Sequence, residues 1–284
     1  MFSPRVETWR GATAALAFAV SIAAASAAEP EHVTFPGRGA SPPTLQALLY
    51  RPANSATPRP AVIALHGCGG NTRSDGRGLV ARVPDWTERF VAAGYVVLWP
   101  DSFGSRGLGP QCGVADRAIT PALRAGDARA AAVWLTTQPG IDPKRIALIG
   151  WSNGGSTVLR AVMPDDASKS FTAAIAFYPG CRPLAEPTRG APWSTGVPLT
   201  ILMGGADDWT PPEPCRVLGT RANVRYVEYP GAFHDFDAPN APVRIRKNLA
   251  FTATKSGEAH VGTDPTARAA SIVEVMATLA AAFK

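Results

Sequence analysis

The sequence predicts an α/β fold: a mostly parallel central sheet with helices on both faces. Three observations predict it. Short apolar runs such as 61–66 (AVIALH) and 199–203 (LTILM) lack apolar–polar alternation, which fits strands buried on both sides. Segments with helix start and stop signals lie between these runs, and alternating strands and helices close into a parallel layer. Glycine-rich loops follow the runs at once, Gly67-Cys68-Gly69-Gly70 after the first and Gly204-Gly205 after the second.

Taken in order, the first expected strand is 45–52 and the second 61–66. Asp85-Trp86-Thr87-Glu88 sets an acid at an N-cap with Glu three residues on, which opens a helix. Phe90 and Val91 form its apolar side and Gly94 ends it. A strand at 95–99 leads into a long glycine-rich loop, 101–118, that holds Cys112. Thr120-Pro121 reads as an N-cap followed by proline at the first helical position, with an alanine-rich helix behind it to residue 137. Then come a strand at 145–150, a helix at 154–162, strands at 173–178 and 199–203, a short helix at 211–219 and a last strand at 224–229. Asp264-Pro265 opens a closing helix with Ile272, Met276 and Leu279 on one face. Residues 241–263 carry no assignable pattern. With no internal repeat, linker or composition break, residues 29–284 read as a single domain.

The start of the chain reads differently. Arg5 and Arg10 precede an alanine-rich apolar stretch from 11 to 24, followed by Ala25-Ser26-Ala27-Ala28 and Glu29-Pro30. A positive start, a short apolar run and a small-residue cleavage site describe a secretory signal peptide over residues 1–28. The apolar run falls short of the roughly 20 residues a spanning helix needs. The expectation is a secreted or periplasmic protein with no stable membrane span once the signal is cleaved. The net charge is +6, but Lys and Arg are scattered without runs, so a nucleic-acid partner is not expected.

Gly150-Trp151-Ser152-Asn153-Gly154-Gly155 lies between an expected strand and an expected helix, and contains G-x-S-x-G. A strand that turns sharply into a helix leaves no room for side chains two before and two after the serine, and projects the hydroxyl from the C-terminal edge of the sheet. Such a serine needs a base beside it and an acid to orient the base. His234, in the loop beyond the last strand, is the expected base, while His260 reads as a surface residue. Asp207 and Asp208 follow the 199–203 strand, and either can orient His234. The oxyanion-hole donors expected are the amides of Asn153 and Cys68. His66 reads as a structural histidine bracing the loop after its strand.

The chain resembles the dienelactone hydrolase family of α/β-hydrolases. The resemblance runs from about residue 60 to the end. It is carried by His66-Gly67-Cys68-Gly69-Gly70, Asp101-Ser102-Phe103, the serine turn, Phe177-Tyr178-Pro179-Gly180, Gly204-Gly205-Ala206-Asp207 with Pro211, and Gly231-Ala232-Phe233-His234. It implies the α/β-hydrolase fold and a triad of Ser152, Asp207 and His234. The family's acid precedes a proline by four positions, so the resemblance favours Asp207. Two features depart from the dienelactone-cleaving members. They use cysteine where this chain has Ser152, and they hold the substrate carboxylate with arginines, one shortly after the histidine. Here Asp235-Phe236-Asp237 follows, and no arginine comes before Arg244. The expectation is therefore a carboxylic-ester hydrolase acting through an acyl-enzyme on a small-molecule ester, not on dienelactone. Trp151, Trp209 and Arg106 are candidate substrate contacts.

Secretion permits disulfides, and the four cysteines lie in loops at one edge of the expected sheet. Neighbouring strands suggest the pairs Cys68–Cys112 and Cys181–Cys215. Histidines and cysteines lack zinc spacing, and the glycines after His66 lack the ending of a phosphate loop, so neither a metal nor an organic cofactor is expected. Other readings are a peptidase or polyester depolymerase on the same fold, a non-catalytic secreted binding protein, and a thiol enzyme using Cys68.

Overall fold

The computed structural model describes residues 29–39, 41–53, 57–166, 168–186 and 192–284. The expected signal peptide, residues 1–28, lies outside the described residues. Eight strands form the main sheet: β1 (Glu31–Pro36), β2 (Thr44–Tyr50), β3 (Arg59–Leu65), β4 (Val96–Asp101), β5 (Ile141–Trp151), β6 (Ala173–Phe177), β7 (Leu199–Gly204) and β8 (Val224–Tyr229). Their spatial order is β1-β2-β4-β3-β5-β6-β7-β8. β1 and β2 are antiparallel to their neighbours, and β4, β3 and β5 to β8 run parallel. The helices are α1 (Arg82–Ala92), α2 (Pro121–Thr136), α3 (Asn153–Ala161), α4 (Arg182–Ala185), α5 (Pro212–Gly219) and α6 (Pro265–Ala282). A small pair, β9 (Arg244–Arg246) with β10 (Ala259–Val261), stands apart from the sheet.

This order places the site. The chain leaves β3 toward β4 on one side and leaves β5 toward β6 on the other, although β3 and β5 are direct neighbours. Connections that diverge in this way open a crevice at the strand C-termini, the usual place for a ligand in an open α/β sheet. Leu65 at the end of β3 faces Gly150 near the end of β5, with Cys68 and Ser152 just beyond. Beneath the crevice lies an aromatic column: Trp99 stacks on Trp151 at 5.3 Å between ring centroids, and Trp151 on Phe177 at 5.6 Å. All three rings are buried, and such offset pairs add to the apolar burial that holds the layer together.

Several local expectations need correction. β1 was not read from sequence; its side chains are mostly exposed, so it lacks the continuous apolar run that marked the others. Asp85 is not an N-cap. α1 begins one turn earlier, at Arg82, and Asp85 accepts hydrogen bonds from Arg89 and Arg268. Thr120 does cap α2, its hydroxyl accepting from Leu123 N, and Asp264 caps α6 by accepting from Ala267 N at 2.8 Å. On α6 the buried stripe is Ala267, Ser271, Val275 and Leu279; Ile272 and Met276 flank it. The unassigned stretch 241–263 forms β9, β10 and the loop between them, which leans over the strand C-termini.

Candidate active site

The turn between β5 and α3 strains one residue. Ser152 has φ 54° and ψ −114°, a conformation that costs a side-chain-bearing residue on the order of 1–3 kcal/mol. The glycines around it explain how the turn fits. A Cβ on Gly150 would collide with the carbonyl of Gly154, and one on Gly154 with the carbonyls of Leu65 and His66. Ser152 N donates to Phe177 O at 2.9 Å, which pins the turn to β6.

Three side chains from distant parts of the chain meet here. His234 Nε2 lies 2.9 Å from Ser152 Oγ, and His234 Nδ1 lies 2.7 Å from Asp207 Oδ2. Asp207 Oδ1 accepts from the backbone N–H groups of Trp209 and Thr210 at 2.9 and 2.8 Å, and the Thr210 hydroxyl lies 2.9 Å from Oδ2. These bonds hold the carboxylate in one orientation. The His234 ring is 1% exposed, packed between Tyr178 at 4.4 Å and Trp209 at 4.7 Å. Burial pushes its pKa down, but the charge of Asp207 and the bond to it outweigh burial and hold the value above the ordinary 6.5.

The second aspartate has its own histidine. Asp208 Oδ2 lies 2.8 Å from His260 Nδ1, and Oδ1 accepts from His260 N at 2.9 Å. The His260 ring stacks on Phe233 and stays partly exposed.

Two buried polar groups that support the site were not legible in the sequence. Asp237 is fully buried and accepts from Trp86 Nε1 at 2.9 Å, Trp151 Nε1 at 2.8 Å, the Tyr178 hydroxyl at 2.5 Å and Arg82. Arg82 also pairs with Asp235 at 2.9 Å. The residues following His234 therefore anchor its loop to the aromatic column, and their charge is met by an arginine from α1. The one available signal was the pair of acids around Phe236, directly after the candidate base. The second group is Arg124 of α2, fully buried, which donates to Asn153 Oδ1 at 2.5 Å and His66 O at 2.8 Å. His66 is buried against it; burial and the nearby Arg124 charge keep its pKa well below the usual range, so it stays neutral. Its Nε2 accepts from Ser102 N at 3.3 Å, bracing the neighbouring loops.

Two of the three candidate substrate contacts are corrected. The Trp151 side chain is fully buried in the aromatic column and lines no cavity at the site. Arg106 spends its guanidinium on Asp127, at 2.8 Å, and on Ser102 O. Both residues were near the serine in sequence or on the long loop, but their polar groups point inward to buried partners. Trp209 does line the space around Ser152. Two cavities meet at that serine, one of about 900 Å³ and one of about 260 Å³. Disulfides join Cys68 to Cys112 and Cys181 to Cys215, the pairs expected from strand adjacency. Among the described residues, no group of three or more His, Cys, Asp or Glu side chains is placed to hold a metal ion, and no helix is long and apolar enough to cross a membrane.

A mostly parallel sheet with a strained serine at the end of a central strand defines an α/β-hydrolase fold. Within that class the chain belongs to the dienelactone hydrolase family, whose signature matches residues 45–260. Solved structures with the same fold include a Klebsiella pneumoniae dienelactone hydrolase, 18% identical with a TM-score of 0.64, the match covering 88% of this chain and 98% of that one. Esterase 2 of Thermogutta terrifontis, solved after phosphoramylation by tabun, is 21% identical with a TM-score of 0.58, over 88% of this chain and 92% of its own. At these identities the likeness concerns the fold. A quorum-quenching protein AidA of Acinetobacter baumannii is 30% identical over 134 residues, 47% of this chain and 40% of that protein. The chain thus spans less than half the length of that curated relative.

Proposed function

We propose that this hydrolase cleaves carboxylic esters through an acyl-enzyme on Ser152, with His234 as general base and Asp207 as its orienting acid. The observation that carries the reading is the unbroken chain of contacts from Ser152 Oγ through His234 to Asp207, at 2.9 and 2.7 Å, at a strained strand–helix turn. Ser152 attacks the ester carbonyl as His234 takes its proton. The amides of Asn153 and Cys68 hold the oxygen as it gains charge; Asn153 opens α3, so its N–H has no acceptor within the helix. His234 then protonates the departing alcohol. Water repeats the sequence on the acyl-enzyme and frees the acid. Asp207 keeps the Nδ1–H tautomer, which leaves Nε2 free to accept.

The two disulfides and the sequence of residues 1–28 support action outside the cytoplasm. The test uses the purified protein, a panel of alkyl esters of graded acyl length, polyester film and peptide amides. Ester turnover that falls about 10⁶-fold in Ser152→Ala, together with loss of labelling by a fluorophosphonate, is expected. Turnover of peptide amides or film alone would redirect the reading to a peptidase or depolymerase. The thiol enzyme that the sequence left open has no nucleophile, because the Cys68 sulfur is bonded to Cys112.

A further inference from the structure

The chamber around Ser152 has two unequal arms, and they reach different parts of the machinery. Ser152, Cys68 and Trp209 line both, so the two arms meet at these three residues. Asn153 lines only the larger arm, of about 900 Å³, whereas His234 lines only the smaller, of about 260 Å³.

That asymmetry gives an ester a direction. The alcohol oxygen must receive a proton from the same Nε2 that took the serine proton, so it lies on the histidine's side of the reacting carbon. The carbonyl oxygen lies toward the amides of Asn153 and Cys68. The remaining substituent, the acyl chain, then points away from His234. We infer that the larger arm takes the acyl part and the smaller arm the alcohol, so that the substrate class is an ester of a bulky acid with a small alcohol. This rests on the ester-hydrolase reading and adds to it the order in which the two halves are seated.

The walls agree with that assignment. The larger arm is predominantly apolar, with Leu184, Pro211, Pro214, Leu249, Ala250 and Trp209 on it, which suits an aromatic or branched acyl group. The smaller arm is lined by Ala238, Pro239 and Ala241 and by Arg244 and Arg246 of β9, and its volume of about 260 Å³ suits a short group.

The experiment compares two esters with similar alkoxide leaving groups and the aromatic bulk on opposite sides of the ester: methyl 2-naphthylacetate, and 2-(2-naphthyl)ethyl acetate. Initial rates are followed by pH-stat for the wild type, Leu184→Trp and Ala241→Trp, and fluorophosphonate labelling reports that each protein is folded. The expected kcat/KM ratio favours the bulky acid by at least about tenfold in the wild type. Leu184→Trp, which fills the larger arm, lowers that ratio, and Ala241→Trp, which fills the smaller, raises it. A wild-type ratio near one or reversed would overturn the seating while leaving ester hydrolysis intact. No turnover of either ester, with no fluorophosphonate labelling, would remove the ester reading itself and this inference with it.

Discussion

Asp207 and Asp208 are adjacent in sequence, and each holds a histidine by nearly the same contact, 2.7 Å to His234 and 2.8 Å to His260. Their surroundings separate them. The His234 side chain is 1% exposed and faces Ser152, while the side chains of His260 and Asp208 are 42% and 37% exposed and face solvent. Asp207 accepts from the amides of the bend that follows it and faces His234, whereas Asp208 pairs with His260 on β10. The comparison teaches that burial and a neighbouring serine hydroxyl set one histidine–carboxylate pair apart from another of the same geometry. In water the same pair is a surface fastening.

The sharpest way to break the comparison is to remove each histidine. His234→Ala is expected to lower kcat by about 10⁶-fold, because the nucleophile loses its base. His260→Ala is expected to stay within about threefold of wild type. Equal losses in steady-state ester hydrolysis would mean that the exposed pair also acts in the reaction. Next in size are the acids. Asp207→Asn should cost about 10⁴-fold through the wrong tautomer, and Asp208→Asn little; circular dichroism of both variants separates misfolding from lost chemistry.

The pH profile distinguishes the pairs more finely. His234 must be neutral to accept a proton, and its pKa is held above the ordinary 6.5. The acid limb of kcat/KM should therefore have its midpoint above 6.5, with about tenfold loss per pH unit below it. In Asp207→Asn the raising charge is gone and burial remains, so the limb of the residual activity should move to lower pH. A midpoint that stays put would mean that a group other than His234 controls the rate. The smallest effect is the worth of the exposed fastening. A double-mutant cycle on Asp208 and His260, read by thermal or urea unfolding, should give about 0–1 kcal/mol, since solvent screens the pair.

The strands were legible wherever they are buried on both faces, because burial of both faces writes an unbroken apolar run; β1, exposed along most of its length, wrote none. The serine turn was legible because backbone crowding demands glycine at fixed positions beside it, and that demand is local. Arg82, Arg124 and Asp237 escaped notice for the opposite reason. An arginine or aspartate in sequence looks like a solvated charge, and only packing against partners up to 155 residues away makes Arg124 and Asp237 buried struts and Arg82 a half-buried one. Trp151 misled in the same way: adjacency to the serine suggested a wall of the substrate space, whereas strand alternation turned its ring into the core.

The sequence by itself determined the α/β order of elements, the strained serine turn and the short set of residues able to complete it, because these follow from local sterics and from apolar patterning along the chain. Tertiary structure alone decided how Asp207 and Asp208 divide between two histidines, how the Arg82 and Arg124 charges are met, and how the space around Ser152 splits into two arms. Those outcomes depend on the direction of side chains brought together from distant segments, and neither direction nor dielectric surroundings is a property of the linear chain.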